Sequence, residues 1–210
     1  MILFGGTFDP PHLGHVAVIQ ELRRQTGHQL VVVPTGIPGH RSPPVASPEE
    51  RAEMVEMATR SLADGLVSVC RWEVEQPEPC FTINTVERWL EQRPEAAIDL
   101  ALGSDVAAGL PSWKLAGQLM TQVRLLVFDR QGSRARGEEV LADLQRHGLP
   151  VAGAEVITTA APAIGASTIR ERLARGQNCD AQLPPGVGEY IRTHHLYGAM
   201  AEAPTSPGEG

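Results

Sequence analysis

Short apolar runs alternate with segments of helical periodicity along most of this sequence, and this alternation constrains the fold more than any other feature. The first run covers residues 2–4 and stops at Gly5-Gly6, and apolar residues then recur at near-helical spacing over residues 13–24. The same order repeats towards the C-terminus. It predicts an α/β fold, a Rossmann-like doubly wound, mostly parallel sheet with helices on both faces. Ligands of such sheets bind beyond the carboxyl ends of the strands, so the segments that follow strands are the first candidates for a site.

The element boundaries follow from the apolar pattern and from Gly and Pro positions. The predicted strands cover residues 2–4, 30–33, 66–74, 98–102, 123–128 and 151–157. The predicted helices cover residues 13–24, 48–62, 82–92, 113–120, 138–147, 168–174 and 186–194. We expect one domain over residues 1–198, with a C-terminal helical part at about 167–198, and a disordered tail over residues 199–210.

The charge balance and the cysteines exclude several classes of protein. The chain carries 18 basic and 25 acidic residues and shows no basic stripe, which disfavours polynucleotide binding. Lys114 is the single lysine, so phosphate contacts have to come mostly from Arg, His and backbone N–H groups. Three cysteines without a C-x-x-C pair argue against disulfides and a cysteine zinc site, and favour a cytoplasmic location. No apolar run is long enough to span a membrane. The oligomeric state stays open, a homo-oligomer included.

The most informative string is Gly-Gly-Thr-Phe-Asp-Pro-Pro-His-Leu-Gly-His at residues 5–15, between the first strand and the first helix. His12 and His15 are three residues apart and share one face of the helix start, where backbone N–H groups are free to bind an anion. Gly14 between them removes a side chain that would crowd such a ligand. Two other interpretations stay open: a pair of surface residues, or a metal pair, for which Asp9 alone is thin support as a third ligand.

Two further strings follow predicted strands. Residues 164–170, Ile-Gly-Ala-Ser-Thr-Ile-Arg, open a helix, and Arg170 in its first turn would oppose the helix dipole unless an anionic ligand lies nearby. A plain capped helix is the alternative. In the string at residues 102–113, Asp105 can accept hydrogen bonds from ribose hydroxyls, and Trp113 offers a flat face to an aromatic ring. A core position is the alternative for Trp113.

Together these strings resemble a known enzyme family. Residues 5–15 resemble the signature of the His-x-Gly-His nucleotidyltransferase superfamily, which transfers adenylyl or cytidylyl groups from nucleoside triphosphates. Residues 164–170 resemble its Ile-Ser-Ser-Thr-x-Ile-Arg, with Gly165 and Ala166 in place of the two serines and Ser167 in place of the threonine. Residues 102–113 resemble the Leu-Gly-x-Asp…Leu-Pro-x-Trp of nicotinate mononucleotide adenylyltransferases, where the Trp stacks on the pyridine ring.

Two weaker strings agree with this resemblance. Residues 80–85 resemble the family's Ser-Tyr-Thr-x-Asp-Thr, with Phe81 in place of the Tyr and Asn84 in place of the Asp. The Pro-rich string that ends at Arg41 resembles Pro-x-x-x-Pro-Pro-His-Lys, with the Arg in place of the Lys. The matches run in order from residue 3 to residue 198.

The resemblance implies adenylyl transfer from ATP to nicotinate mononucleotide, which yields deamido-NAD and pyrophosphate in NAD biosynthesis. It implies Mg²⁺ bound mainly to the oxygens of ATP, with no metal held by the protein itself. One alternative is a sibling adenylyltransferase whose acceptor is nicotinamide mononucleotide or 4′-phosphopantetheine. Another is a nucleotide-binding module without catalysis, for which the Gly165-Ala166 pair is the best argument.

The resemblance also implies a set of site residues. The catalytic residues are His12, His15 and Arg170. The ATP site comprises Gly5, Gly6, Thr7, Phe8, His12, His15, Gly103, Ser104, Asp105, Ser167 and Arg170. The mononucleotide site comprises Thr7, Phe8, Arg41, Thr82, Thr85, Asp105 and Trp113.

Overall fold

A computed structural model describes residues 1–38, 43–62, 65–129 and 132–199. Its six strands form one sheet in the order β3-β2-β1-β4-β5-β6, and every neighbouring pair is parallel. The strands are β1 Ile2–Gly6, β2 Leu30–Pro34, β3 Val67–Val69, β4 Asp99–Gly103, β5 Arg124–Asp129 and β6 Glu155–Thr158. The chain builds one half of the sheet outwards from β1 and the other outwards from β4. The strand order therefore reverses between these two strands, and their carboxyl ends mark the expected ligand crevice.

Eight α-helices are assigned in the described residues. They are α1 Leu13–Thr26, α2 Pro48–Arg60, α3 Thr82–Gln92, α4 Ser104–Ala107, α5 Ala116–Gln122, α6 Arg134–Arg146, α7 Ala166–Ala174 and α8 Val187–Thr193. The predicted start of α2 is confirmed: Ser47 is its N-cap and accepts a hydrogen bond from the Glu50 N–H, while the Glu50 side chain accepts one from the Ser47 N–H.

Alternate residues of the central strands supply two separate cores. Leu3 belongs to one cluster with side chains of α3, α5 and α6, whereas its neighbours Ile2 and Phe4 belong to another with side chains of α1 and α2. Helices therefore cover both faces of the sheet, and the predicted doubly wound α/β fold is confirmed. A third cluster joins α7, α8 and the chain's C-terminal turn to Met54 of α2.

Two predicted strand boundaries were wrong by several residues, and the cause is local chain reversal. The strand expected over residues 66–74 ends at Val69, because the next residues curl into a turn closed by hydrogen bonds from the Glu75 N–H to the Arg71 carbonyl and from the Gln76 N–H to the Glu73 carbonyl. The strand expected from residue 151 begins at Glu155, after a turn at residues 152–153.

Three helix starts also differ from prediction by two residues or more. The helix expected from residue 138 begins four residues earlier, at Arg134, where the Ser133 hydroxyl accepts a hydrogen bond from the Arg136 N–H and caps the helix. The helix expected from residue 113 begins at Ala116, because Leu115 adopts a left-handed conformation with φ 54° that a helix cannot continue through. The helix expected from residue 168 begins two residues earlier, at Ala166.

At the C-terminus, the expected tail was wrong for Ala199, which is buried in the third cluster. Residues 200–210 lie outside the described residues. No helix in the described ranges is long and apolar enough to cross a membrane.

An ion-pair network around the buried Asp99 carboxylate lies at the amino ends of the central strands, opposite the expected crevice. The Asp99 carboxylate at the start of β4 accepts two hydrogen bonds from the Arg124 guanidinium, at 2.6 and 2.9 Å, and lies 2.8 Å from Nδ1 of His28. Burial alone would raise the pKa of Asp99, but the hydrogen bonds from Arg124 and His28 outweigh it and hold the pKa below its ordinary value. Ionised Asp99 therefore stabilises the folded state.

We predict that Asp99→Asn lowers the free energy of unfolding at pH 7 by about 1.5–3 kcal/mol, because charged hydrogen bonds are lost from a buried position. The folded pKa is depressed, so this stabilisation is present above the unfolded pKa of about 3.9 and is lost as pH falls through the folded value. Urea unfolding should show a large difference in the free energy of unfolding between wild type and variant at pH 7. This difference should be smaller at pH 3. Asp143, whose side chain is 41% exposed and pairs with Arg146, offers a matched control: Asp143→Asn should change stability by less than about 0.5 kcal/mol.

Candidate active site

The loop between β1 and α1 lies at the point where the strand order reverses. Phe8 in this loop is buried, with φ 51°, and its ring packs edge-on against Phe4 at a centroid distance of 5.7 Å. A Cβ atom on Gly6 would lie 2.9 Å from the same ring. Gly6 is therefore required by the packing of Phe8, and Phe8 can meet a ligand only through its backbone.

The two histidines of the loop come together at the start of α1, as the sequence predicts. His12 is the N-cap, and its backbone N–H donates to Nδ1 of His15 at 3.2 Å. The imidazole rings stack at a centroid distance of 3.7 Å and an interplanar angle of 20°. Because Nδ1 of His15 accepts a hydrogen bond, the neutral ring carries its proton on Nε2. No acidic residue occupies the first turn of α1, so its N–H groups and imidazoles offer donors to an anion.

The segment that leads into α7 packs directly against this helix start. A Cβ atom on Gly14 would lie 3.0 Å from the His12 ring and 3.2 Å from the carbonyl oxygen of Pro162. Ala161 and Ile164 line the same crevice as the two histidines. Gly14 thus makes room for the His12 ring and for this segment. The two strings that most resemble phosphate-binding motifs, far apart in sequence, meet here.

Arg170 reaches back from α7 to the first loop. Its Nη1 donates to the carbonyl oxygen of Asp9 at 2.6 Å and lies 3.7 Å from the Asp9 carboxylate. Because α7 begins at Ala166, Arg170 lies in the second turn, and the prediction that it opposes the dipole in the first turn was wrong. The Arg170 side chain is 32% exposed, so part of it faces solvent beside the loop. Gly165 is the N-cap and has no side chain to cap the first N–H groups of α7.

Asp9 is committed to holding the loop in place. Its carboxylate accepts hydrogen bonds from the backbone N–H groups of Val45 and Ala46, at 2.9 and 3.1 Å, and from the hydroxyl of Tyr197 at 2.8 Å. Burial and the neighbouring Asp9 charge raise the pKa of Tyr197, which keeps its hydroxyl protonated as a donor. Asp9 is thus a structural acceptor, and the described residues contain no group of three or more His, Cys, Asp or Glu side chains that could hold a metal ion.

Sequence reasoning missed Arg51, although it fixes the backbone of this site. The side chain is 0% exposed and donates to three carbonyl oxygens: Thr7 at 2.7 Å, Gly36 at 2.9 Å and Ala46 at 3.3 Å. Burial lowers the pKa of Arg51, while the negative charge of Asp9 opposes that shift. An arginine in an amphipathic helix is ordinarily exposed, so the pattern of α2 carries no signal for this role.

Sequence reasoning also missed Glu73, whose side chain bonds to Thr85, a residue predicted for the mononucleotide site. Its buried carboxylate accepts a hydrogen bond from the Thr85 hydroxyl, so that hydroxyl already has a partner within the protein. Burial raises the pKa of Glu73, and hydrogen bonds from Thr85 and from the Gly36 backbone oppose the rise. The residue falls in a segment predicted as strand, where an inward carboxylate is not expected. The Glu73 carboxylate nevertheless lies beside the segment of residues 80–85.

The remaining acceptor residues lie at the start of α3 and before α5. Phe81 is the N-cap of α3, its N–H donates to Oδ1 of Asn84 at 3.3 Å, and Thr82 is half-buried at the first helical position. Trp113 follows a short 3-10 turn, is half-buried, and packs against the same core cluster as Phe81. Its ring is thus partly core and partly accessible. Arg41 lies outside the described residues.

At the end of β4, the three predicted ATP-site residues occupy different environments. Gly103 is the N-cap of α4, and Ser104 is buried with its hydroxyl donating to the Asp129 carboxylate at 2.9 Å. Asp105 is exposed in the first turn of α4. Asp105 is therefore the side chain that can meet a ribose, whereas Ser104 joins the ends of β4 and β5.

Comparisons with known proteins agree with this geometry. The chain matches the cytidylyltransferase-like family over residues 3–172. It is 33% identical to the nicotinate-nucleotide adenylyltransferase of Salmonella typhimurium, over 93% of this chain and 97% of the relative. It is also 33% identical to a probable nicotinate-nucleotide adenylyltransferase of Sodalis glossinidius, over 92% and 95% respectively.

Solved structures agree on the fold. The nicotinic acid mononucleotide adenylyltransferase of Plasmodium falciparum, complexed with NaAD, superposes with a TM-score of 0.76 at 18% identity, over 96% of this chain and 98% of the other. A putative nicotinate-nucleotide adenylyltransferase from Vibrio parahaemolyticus gives 0.65 at 18% identity, over 96% and 95%. Because the family match spans most of the chain and the relatives align over almost their full length, the chain belongs to the cytidylyltransferase-like family of nucleotidyltransferases and, within it, to the nicotinate-nucleotide adenylyltransferases.

Proposed function

We propose that this nucleotidyltransferase transfers the adenylyl group of ATP to nicotinate mononucleotide, forming deamido-NAD and pyrophosphate in NAD biosynthesis. The observation that carries the proposal is the meeting of the stacked His12–His15 pair with the segment that leads to α7 and Arg170. That arrangement gathers imidazole, guanidinium and helix N–H donors at one end of the sheet, as a triphosphate requires. The names of the relatives support the same reaction.

The reaction is a direct displacement at phosphorus. A 5′-phosphate oxygen of the mononucleotide forms a bond to the α-phosphorus of ATP, and the bond from that phosphorus to the oxygen bridging to the β-phosphate breaks. The electron pair leaves with pyrophosphate. Since the attacking oxygen belongs to the substrate, no nucleophile of the enzyme is needed. Catalysis is then alignment of two anionic substrates and stabilisation of charge that develops on the phosphate oxygens.

The donors divide between the two ends of the triphosphate. We assign His12 and His15 to the α- and β-phosphate region, with Nε2–H of His15 as the donor, because its Nδ1 is held by the His12 backbone. Arg170 binds the leaving β- and γ-phosphates. The first N–H groups of α7 act with it, since Gly165 and Ala166 lack hydroxyls but keep their backbone donors.

The rest of the ATP site binds through backbone and ribose contacts. Asp105 accepts hydrogen bonds from the ribose, and Ser104 fixes the end of β4. The loop of Thr7 and Phe8 presents backbone groups to both substrates. The other members of this site are Gly5, Gly6, Gly103 and Ser167.

Nucleotidyl transfer from ATP generally depends on a divalent metal, and we propose that Mg²⁺ enters as the complex with ATP. The Asp9 carboxylate in the loop after β1 is occupied by two backbone N–H groups and a tyrosine hydroxyl. The ion would then be held mainly by phosphate oxygens and water, as Mg²⁺ prefers.

For the acceptor, we propose that the pyridine ring stacks on the accessible face of Trp113 and that its carboxylate meets N–H groups at Thr82. Thr85 supports that turn from behind and does not offer its hydroxyl to the substrate, because this hydroxyl donates a hydrogen bond to Glu73. Arg41, proposed from the sequence alone, binds the mononucleotide phosphate. The cysteine pattern supports a cytoplasmic enzyme.

The acceptor assignment is tested by comparing initial rates of pyrophosphate release from MgATP with three acceptors: nicotinate mononucleotide, nicotinamide mononucleotide and 4′-phosphopantetheine. We predict a kcat/KM at least about tenfold higher for nicotinate mononucleotide, or about 1.4 kcal/mol, because N–H donors suit a carboxylate better than an amide. Release with none of the three would favour a binding module without catalysis. Equal values for the two pyridine nucleotides would mean dual specificity.

We predict that His15→Ala lowers kcat at least about a hundredfold while the fold stays intact, because a donor to the transition-state phosphate oxygens is removed. Steady-state kinetics with circular dichroism as the folding check would measure it. The exposed His147 in the C-cap of α6 gives a control, and His147→Ala should leave kcat unchanged. Near-normal turnover in a folded His15 variant would contradict the assignment.

Trp113→Ala is expected to raise the KM for nicotinate mononucleotide far more than the KM for ATP, because stacking worth about 1–3 kcal/mol is lost for one substrate only. Trp89 is a matched control, since it is also half-buried against the same core cluster. Trp89→Ala should lower stability without a selective change in either KM. Parallel effects of the two substitutions would assign Trp113 to the core instead.

A further inference from the structure

The single lysine of the chain lies beside the proposed acceptor site. Lys114 follows Trp113 directly, and its Nζ sits 4.4 Å from the centroid of the Phe81 ring. Phe81 is the N-cap of α3, and Thr82 is the first residue of that helix. The ammonium is thus placed between the residue proposed to stack on the pyridine ring and the turn proposed to meet its substituent.

Arg88 of α3 and Arg93 at its C-cap contact other aromatic rings. The guanidinium of Arg88 lies 5.1 Å from the Trp72 ring, and that of Arg93 lies 5.6 Å from the Trp89 ring. Glu87, on the same helix, accepts a hydrogen bond from Gln118 of α5 at 2.9 Å. Lys114 is therefore the cation that the described structure places at the start of α3. Its contact with Phe81 is exposed and weak, so an anionic ligand can replace the ring as its partner.

A positive charge at this position can distinguish the two pyridine mononucleotides. The two pyridine mononucleotides differ in a carboxylate against a neutral amide, and an ammonium has three donors and no acceptor for the amide N–H₂. The carboxylate of Glu73 behind the same turn accepts the hydrogen bond of the Thr85 hydroxyl, so that hydroxyl is not available to the pyridine carboxylate. A cation on the open side of the turn attracts the acid and gives the amide no comparable gain.

We propose that Lys114 is a specificity-determining residue, whose ammonium pairs with the pyridine carboxylate and selects nicotinate over nicotinamide mononucleotide. The inference rests on the proposed function. Lys114 takes no part in the bond changes at phosphorus, so its removal acts on the choice of acceptor and leaves the chemistry of transfer in place.

Kinetics of Lys114→Gln, Lys114→Arg and the control Arg93→Gln with both mononucleotides would test this. Lys114→Gln should lower kcat/KM for the nicotinate substrate about tenfold and change the nicotinamide value less than twofold. Lys114→Arg should keep most of the preference because the charge remains, and Arg93→Gln should keep all of it. An unchanged preference in folded Lys114→Gln would overturn the role of Lys114. Absence of wild-type turnover with nicotinate mononucleotide would instead overturn the proposed function.

A second readout does not depend on turnover. Because Lys114 is the single lysine, an amine-acetylating reagent has two amine targets, Lys114 and the N-terminus, whose amine donates to the Ala97 carbonyl at 2.8 Å. Mass spectrometry then follows each target separately. Saturating nicotinate mononucleotide should slow acetylation of Lys114 at least threefold and leave the N-terminus unaffected, and saturating nicotinamide mononucleotide should protect less. Equal protection by the two, or none, would contradict the proposal.

Discussion

The hydrogen bonds of the Asp9 carboxylate fix the position of the loop between β1 and α1, on which the candidate site depends. They join three stretches of the chain: the loop after β1, the backbone at Val45 and Ala46 before α2, and Tyr197 near the C-terminus. Arg170 adds a fourth stretch through the Asp9 carbonyl. A buried carboxylate is costly unless its lone pairs are satisfied, so each of these partners is held in register by the others. Because His12 and His15 follow Asp9 closely in the chain, these hydrogen bonds also fix the position of the two histidines.

A second layer of buried polar groups lies beneath the loop. Arg51 satisfies three carbonyl oxygens from three separate segments, and Glu73 with Thr85 braces the turn on the acceptor side. The two layers meet at Gly36, whose carbonyl binds Arg51 and whose Cα approaches the Glu73 backbone so closely that a Cβ would lie 1.9 Å from its carbonyl oxygen. Loops that would otherwise be mobile are thereby fixed, which is what alignment of two anionic substrates demands.

Local patterns in the sequence predicted the elements that depend on local physics. The apolar runs of β1, β2, β4 and β5 and the capping box of α2 all appear within a few residues of their predicted positions. Two of the failures come from local chain reversal. β3 ends early because the chain turns at residues 71–76, where Val74 is buried without being part of a strand, and α5 starts late because exposed Leu115 adopts a left-handed conformation. Periodicity records which side chains are buried, and it does not distinguish a strand from a compact turn of similar composition.

The sequence by itself determined the α/β class, the position of His12 and His15 at the first helix start, and a further helix start near residue 165, because each is a property of neighbouring residues. Only the tertiary structure decided the strand order and the contact between those two helix starts. It alone also turned Asp9 into a structural acceptor for Tyr197, 188 residues away. A buried polar side chain takes its role from the partners that satisfy it, and those partners come from segments that only the folded chain brings together.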